Sequence, residues 1–95
     1  MNVVYRPTAL TEAIEAKAWY AQFLLGEEFL SDLDRAIDLV REFPEIGGRV
    51  NERGARRLLL RRFPYGIYYP VRTGTLVILA VFHSARDPRR LHGVQ

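Results

Sequence analysis

Cysteine is absent from this 95-residue chain. That excludes a disulfide scaffold, thiolate metal sites and thiol nucleophiles, and it fits a reducing, cytoplasmic setting. Long hydrophobic runs are absent too. The longest, Leu76 to Phe82, is seven residues, far short of the roughly 20 a membrane span needs. The first residues, MNVVYRPT, have neither a basic n-region nor an apolar h-region, so no signal peptide is expected. Gly47 and Gly48 stand alone rather than in a phosphate-cradling loop, and there is no serine elbow. No two His, Asp or Glu residues show a recognised ligand spacing, so neither a metal nor a cofactor is expected. The length leaves room for a single domain over residues 1–95. An apolar content of 48% with 12% aromatics is too hydrophobic for a disordered segment.

What the chain does have is a lopsided charge. Residues 1–48 carry four basic and nine acidic groups, a balance of −5. Residues 49–95 carry ten arginines against Glu52 and Asp87, a balance of +8. Lys17 is the one lysine among fourteen basic residues. Guanidinium suits bidentate contact with phosphate or carboxylate and keeps its charge when half-buried. The second half can be an ordinary solvated surface, or it can meet a nucleic acid or an acidic protein segment.

The hydrophobic period divides the chain in the same way. Residues 2–6 are short and β-branched and stop at Pro7, as a first strand would. Thr8 is placed to cap a helix whose apolar face is Ala9, Ala13, Ala16, Tyr20 and Phe23. Gly26 is expected to end or interrupt it. A second helix then carries Phe29, Leu33, Ala36, Ile37 and Val40 until Pro44. Glu27 and Glu28 suit its N-terminal dipole. Two helices around one break suggest an antiparallel hairpin. After a polar connection the period becomes two. Strands are expected over Arg56 to Phe63, Tyr65 to Val71 and Leu76 to His83, with Thr73-Gly74 as a hairpin turn. Pro70 implies a bulge or an edge. The tail SARDPRRLHGVQ reads as irregular. The order is β-α-α-β-β-β: an α+β fold, an antiparallel β-sheet with an N-terminal helical hairpin packed on it.

Three groups of residues can carry chemistry. Arg56, Arg57, Arg61 and Arg62 bracket Leu58 to Leu60. On a strand Arg57 and Arg61 share one face, about 13 Å apart at ~3.3 Å per residue, a spacing able to straddle a phosphate backbone or clamp an acidic peptide. Equally, they can pair with helix carboxylates such as Asp32 or Asp34. Tyr65, Tyr68 and Tyr69 can stack on bases if exposed, or form sheet core with the hydroxyl at the rim. His83, at a strand end near Arg86 and Asp87, can act as a general acid or base. Alternatively, Asp87 holds Arg86 in a structural corner.

The run RRLLLRRFPYGIYYPVRTGTLVILAVFHSARDP, Arg56 to Pro88, resembles the RelE/ParE superfamily of bacterial type II toxin–antitoxin toxins. Its paired arginines, Phe-Pro-Tyr turn, isoleucine–tyrosine strand, apolar strand ending in histidine and Arg-x-Pro follow that order. The alanine-spaced helix, Trp19-Tyr20, Gly26 and Pro44 extend the likeness to nearly the whole chain. The resemblance implies the fold just described, a cytoplasmic growth inhibitor, a cognate antitoxin as partner and a toxin–antitoxin hetero-oligomer, with no membrane role. Two activities exist in such a family: ParE-like inhibition of DNA gyrase, and RelE-like cleavage of mRNA on the ribosome. For a nuclease, the resemblance implies His83 for proton transfer and Arg57, Arg61 and Arg86 for the developing phosphate charge. For antitoxin or nucleic acid it points to Arg56, Arg57, Arg61, Arg62, Tyr65, Tyr68 and Arg86. The sheet lysines of several RelE-like nucleases are missing, no tyrosine follows Tyr69, Leu91 replaces a common tryptophan, and the usual closing arginine is absent. The ParE-like mode is therefore the leading expectation. A degenerate toxin that only binds its antitoxin is the third.

Overall fold

A computed structural model describes residues 2–70 and 74–86. The expected turn residue Thr73, the end of the second tyrosine strand at Val71, Asp87 and the tail lie outside the described residues. The chain opens with β1 (Asn2–Tyr5) and two helices, α1 (Pro7–Ala21) and α2 (Gly26–Glu42). The strands β2 (Gly48–Arg49), β3 (Ala55–Leu59), β4 (Tyr65–Pro70), β5 (Thr75–Ile78) and β6 (Ala80–His83) follow.

Pro7 fixes the start of α1. Its preset φ suits the first helical position, so Arg6 rather than Thr8 takes the cap position, with no side-chain cap. Ala9, Ala13 and Ala16 are buried, and these small side chains let the helix lie close on the sheet. The helix stops before Phe23, which is exposed and packs edge-on against Trp19 instead of continuing the buried stripe. The break itself falls at Gln22–Leu25, where Leu24 takes a φ of 61°, and Gly26 begins α2 rather than ending α1. Gly26 is needed for proximity: a Cβ there would sit 3.3 Å from the Lys17 carbonyl oxygen and 3.5 Å from Ala21. In α2 the predicted stripe of Phe29, Leu33, Ala36, Ile37 and Val40 is buried throughout.

Strands β2, β3, β4 and β6 form an antiparallel sheet in that order. β1 departs from the expected pattern by pairing in parallel with β5, from Asn2↔Thr75 to Tyr5↔Ile78. The helical crossover between them permits this. The long apolar strand is interrupted at Leu79. The Leu79 N–H donates to the Tyr68 carbonyl at 2.8 Å while Ala80 also faces Tyr68, so two residues oppose one in a β-bulge. The bulge lets one continuous segment serve β4 through β6 and β1 through β5. It also answers the irregularity at Pro70: β4 lies between β3 and β6, not at an edge. Its proline ends the strand where the β6 ladder has already stopped, so no donor is missed.

The sheet has two unlike faces. Leu58, Tyr65, Ile67, Tyr69 and Val81 pack towards the helices in the main core with Phe29, Leu33 and Val40. Tyr68, Ala80 and Phe82 form a second cluster on the other face. At Gly66 a Cβ would lie 2.6 Å from Phe82 Cζ, so the glycine makes room for that ring.

Candidate functional site

Strand register brings one group of polar aromatics together. Tyr65 and His83 face each other across β4 and β6, their rings 5.1 Å apart and edge-on. Tyr20, at the end of α1, lies 6.0 Å from the Tyr65 ring and 4.6 Å from Phe63. Arg86 sits in the turn after β6, its N–H bonded to the His83 carbonyl at 3.2 Å. Burial raises the Tyr65 pKa, and the neighbouring Tyr20 adds to this; the charge of Arg86 and its hydrogen bond to Tyr65 act in the opposite direction. Tyr20 is raised by burial and partly offset by Arg86. The result is a corner of two neutral phenols, one imidazole and one exposed guanidinium.

The imidazole is a neutral side chain with one ring nitrogen already engaged. Burial first and the Arg86 charge second lower the His83 pKa, while its own backbone hydrogen bond works the other way. His83 is therefore neutral at physiological pH. Its Nδ1 accepts the Ala85 N–H at 3.2 Å, which places the ring proton on Nε2. The lone pair a general base would use is engaged, and the imidazolium a general acid would need is disfavoured.

Of the expected arginines Arg86 joins this corner, and Arg57, on the opposite sheet face, does not. β3 ends at Leu59, not at Phe63, so Arg61 and Arg62 lie in a bend rather than on the strand, and the 13 Å same-face pair with Arg57 does not exist. The cause is Asp32, a buried carboxylate on α2. Its oxygens accept the backbone N–H of Arg61 at 3.4 Å and of Arg62 at 2.7 Å, together with two bonds from the Arg35 guanidinium. The expected pairing of strand arginines with Asp32 or Asp34 is thus met at Asp32, but through the Arg61 and Arg62 backbone amides rather than guanidinium groups. The Arg62 guanidinium lies 5.9 Å from the centre of the Phe63 ring.

Arg56 is structural. It donates to the carbonyls of Glu45 at 3.1 Å and Gly47 at 2.7 Å and pairs with the Glu45 carboxylate at 3.6 Å. Gly47 in turn donates its N–H to the buried Tyr69 hydroxyl at 2.9 Å. Arg57 opposes Tyr68 and Gly48, which puts it on the sheet face away from the helices and away from His83. Tyr68 is buried and stacked on Phe82 at 4.3 Å, so its ring is closed to a base. Among the described residues Arg57, Arg61 and Arg62 make no ion pair with a carboxylate. No group of three metal-ligating side chains gathers among the described residues, and no helix there is long and apolar enough to cross a membrane.

The sequence reading misses Tyr20 as a site residue and misses how Asp32 acts, through the Arg61 and Arg62 amides. Tyr20 was assigned to the apolar stripe, four residues after Ala16, and its stripe position is what brings it to Tyr65. Asp32 gave one usable signal, a carboxylate next to Leu33 on the buried side of an amphipathic helix, three residues before an arginine.

The architecture is an α+β domain, a helical hairpin on an antiparallel sheet with an arginine-rich second half. Residues 3–88 match the family model described as ParE toxin of type II toxin-antitoxin system, parDE. The chain belongs to that family. A solved structure titled "Chromosomal ParDE TA system from P. aeruginosa" is similar in fold, with a TM-score of 0.62 and 20% identity over 87% of this chain and 95% of that one. Comparison with curated protein sequences gave no match.

Proposed function

We propose that this toxin arrests growth by binding a protein target in the ParE-like manner, inhibiting DNA gyrase, and that a cognate antitoxin neutralises it. The observation that carries this reading is the state of His83: neutral, with Nδ1 engaged by Ala85, and on the opposite sheet face from Arg57. RNA cleavage needs a base for the 2′-oxygen, an acid for the leaving oxygen and cations around one phosphate. Here Arg86 alone of the expected cations stands by His83, while Arg57 lies on the opposite sheet face and Arg61 on a bend. The face away from the helices, with Arg57 beside exposed Leu59 and the Tyr68–Phe82 stack, suits a protein surface better than a phosphodiester.

For the antitoxin we propose an acidic, apolar segment that folds as it binds, meeting Arg57, Arg61, Arg62 and Arg86. Arg56 and Tyr68 leave the proposed contact set because their side chains already serve the fold.

The RelE-like reading keeps one observation in its favour, the convergence of Tyr20, Tyr65, His83 and Arg86 in one corner. The deciding experiment is to induce the chain alone in a bacterium, map mRNA 5′ ends within minutes of arrest, and assay gyrase supercoiling with the purified protein. Intact transcripts with inhibited supercoiling are expected, and His83→Ala should remain toxic. New cuts within translated codons that vanish in His83→Ala would establish the nuclease instead. No arrest and no inhibition would leave a degenerate toxin that only binds its antitoxin.

A further inference from the structure

Among the described residues the outer edge of β1 pairs with no other strand. In its parallel ladder Asn2 donates to the Gly74 carbonyl at 3.2 Å and Arg6 to that of Ile78 at 3.0 Å. Alternate residues of a strand turn their backbone groups to the same side, so Val3 and Tyr5 direct their N–H and C=O groups outward. Among the described residues nothing bonds to those four groups. Protected edges usually carry a charge, a proline or a bulge, or lie under another element. Asn2–Tyr5 contains none of these devices, and Val4 is 49% exposed.

We infer that β1 is a self-association edge, where two copies of this chain pair antiparallel about a two-fold axis through Val4. In that register Val3 of one copy opposes Tyr5 of the other, and all four outward groups on each copy are satisfied by four inter-strand hydrogen bonds. Centring the axis on Tyr5 would satisfy only half as many, because Val3 would then oppose Pro7 at the start of α1. The exposed Val4 side chains meet across the axis in a close, non-hydrogen-bonded pair, and Asn2 faces Arg6, so no like charges are opposed. Asn2–Tyr5 carries no charge, Arg6 standing only at the end of the paired segment, and the strand's spacing of donors and acceptors is complementary to itself. Val3 and Tyr5 keep their side chains in the core, so pairing needs no refolding. The inference is independent of whether the target is gyrase or mRNA.

The test is sedimentation equilibrium on the purified chain and on Val4→Lys and Val4→Glu, with circular dichroism to check the fold. The parent should dimerise with concentration. Each variant should weaken dimerisation by roughly tenfold or more through like charges at the axis, and an equimolar mixture of the two should recover it. Recovery in the mixture is a result that mere misfolding of either variant cannot give. A parent monomeric at every concentration, or variants that associate as well as the parent, would overturn the inference. So would variants that lose antitoxin binding while the parent shows no self-association, since the edge would then belong to the antitoxin.

Discussion

The two faces of the sheet are both buried at their centres, yet they are built differently. Towards the helices, Tyr20, Phe29, Phe63 and Tyr65 interlock in stacked and edge-on pairs between α1, α2 and the strands. On the far face, Tyr68 stacks on Phe82 over Gly66, with Val50 and Leu79 at the margin. The first face ties distant parts of the chain together, while the second mainly joins neighbouring strands. Position on one or the other face also decides which polar groups can cooperate. His83 shares a face with Tyr65, and Arg57 with Tyr68, so the sheet itself keeps imidazole and strand guanidinium apart.

The sharpest way to break that contrast is truncation on each face. Phe29→Ala removes a fully buried ring held by three aromatic neighbours, and should cost about 3–5 kcal/mol in urea unfolding. Phe82→Ala should cost less, because its cluster is smaller and Tyr68 is its one aromatic partner among the described residues. Equal losses would mean that the far face carries as much of the stability as the helical side. Next in size is Asp32→Ala, which strips the acceptor from the Arg61 and Arg62 amides and from Arg35. A loss of roughly 2–4 kcal/mol in thermal unfolding is expected. Asp32→Asn should recover part of it, since one oxygen still accepts.

Charge reversal asks the same question of binding. Arg57→Glu should weaken the proposed antitoxin complex by roughly ten- to hundredfold by calorimetry, because the half-exposed guanidinium lies amid apolar far-face side chains. Arg61→Glu, on an exposed bend, should cost less. Unchanged affinity in both would remove the electrostatic part of the proposal.

How far this was legible in the sequence follows from the range of the forces involved. The α2 stripe from Phe29 to Val40 and the alternation of Ile67 and Tyr69 against Tyr68 are periodic, so local pattern sufficed for α2 and the faces of β4, while at α1 it placed the cap and Phe23 wrongly. Three features depend on distant partners and left no periodic trace. The parallel pairing of β1 with β5 depends on a crossover more than sixty residues long. The end of β3 is dictated by Asp32, about thirty residues earlier, which takes the Arg61 and Arg62 amides out of the ladder. The bulge at Leu79 is invisible in a run apolar on both faces. The candidate site was legible in type but not in grouping: His83 and Arg86 were found, Tyr20 was not, and one misplaced strand end joined Arg57 to Arg61.

The smallest expected effect tests the state of His83 directly. Its pKa in the folded protein is lowered by burial and by Arg86, so the unfolded chain binds its proton more readily than the native one. Stability linked to this residue is therefore complete above the ordinary histidine value, near 6.5. It falls as pH drops through that value towards the folded pKa. Protonation must also displace the Ala85 amide from Nδ1, because an imidazolium cannot accept it. Imidazole proton shifts followed by NMR should show His83 titrating below the ordinary histidine value, and the Ala85 amide resonance should move in step. His83→Gln should flatten the corresponding slope of stability against pH by a small amount, since the ring is only half-buried. An Ala85 amide that stays fixed while His83 titrates would mean that Nδ1 is not engaged in solution. The imidazole would then be available as a base, and the balance would move towards the nuclease.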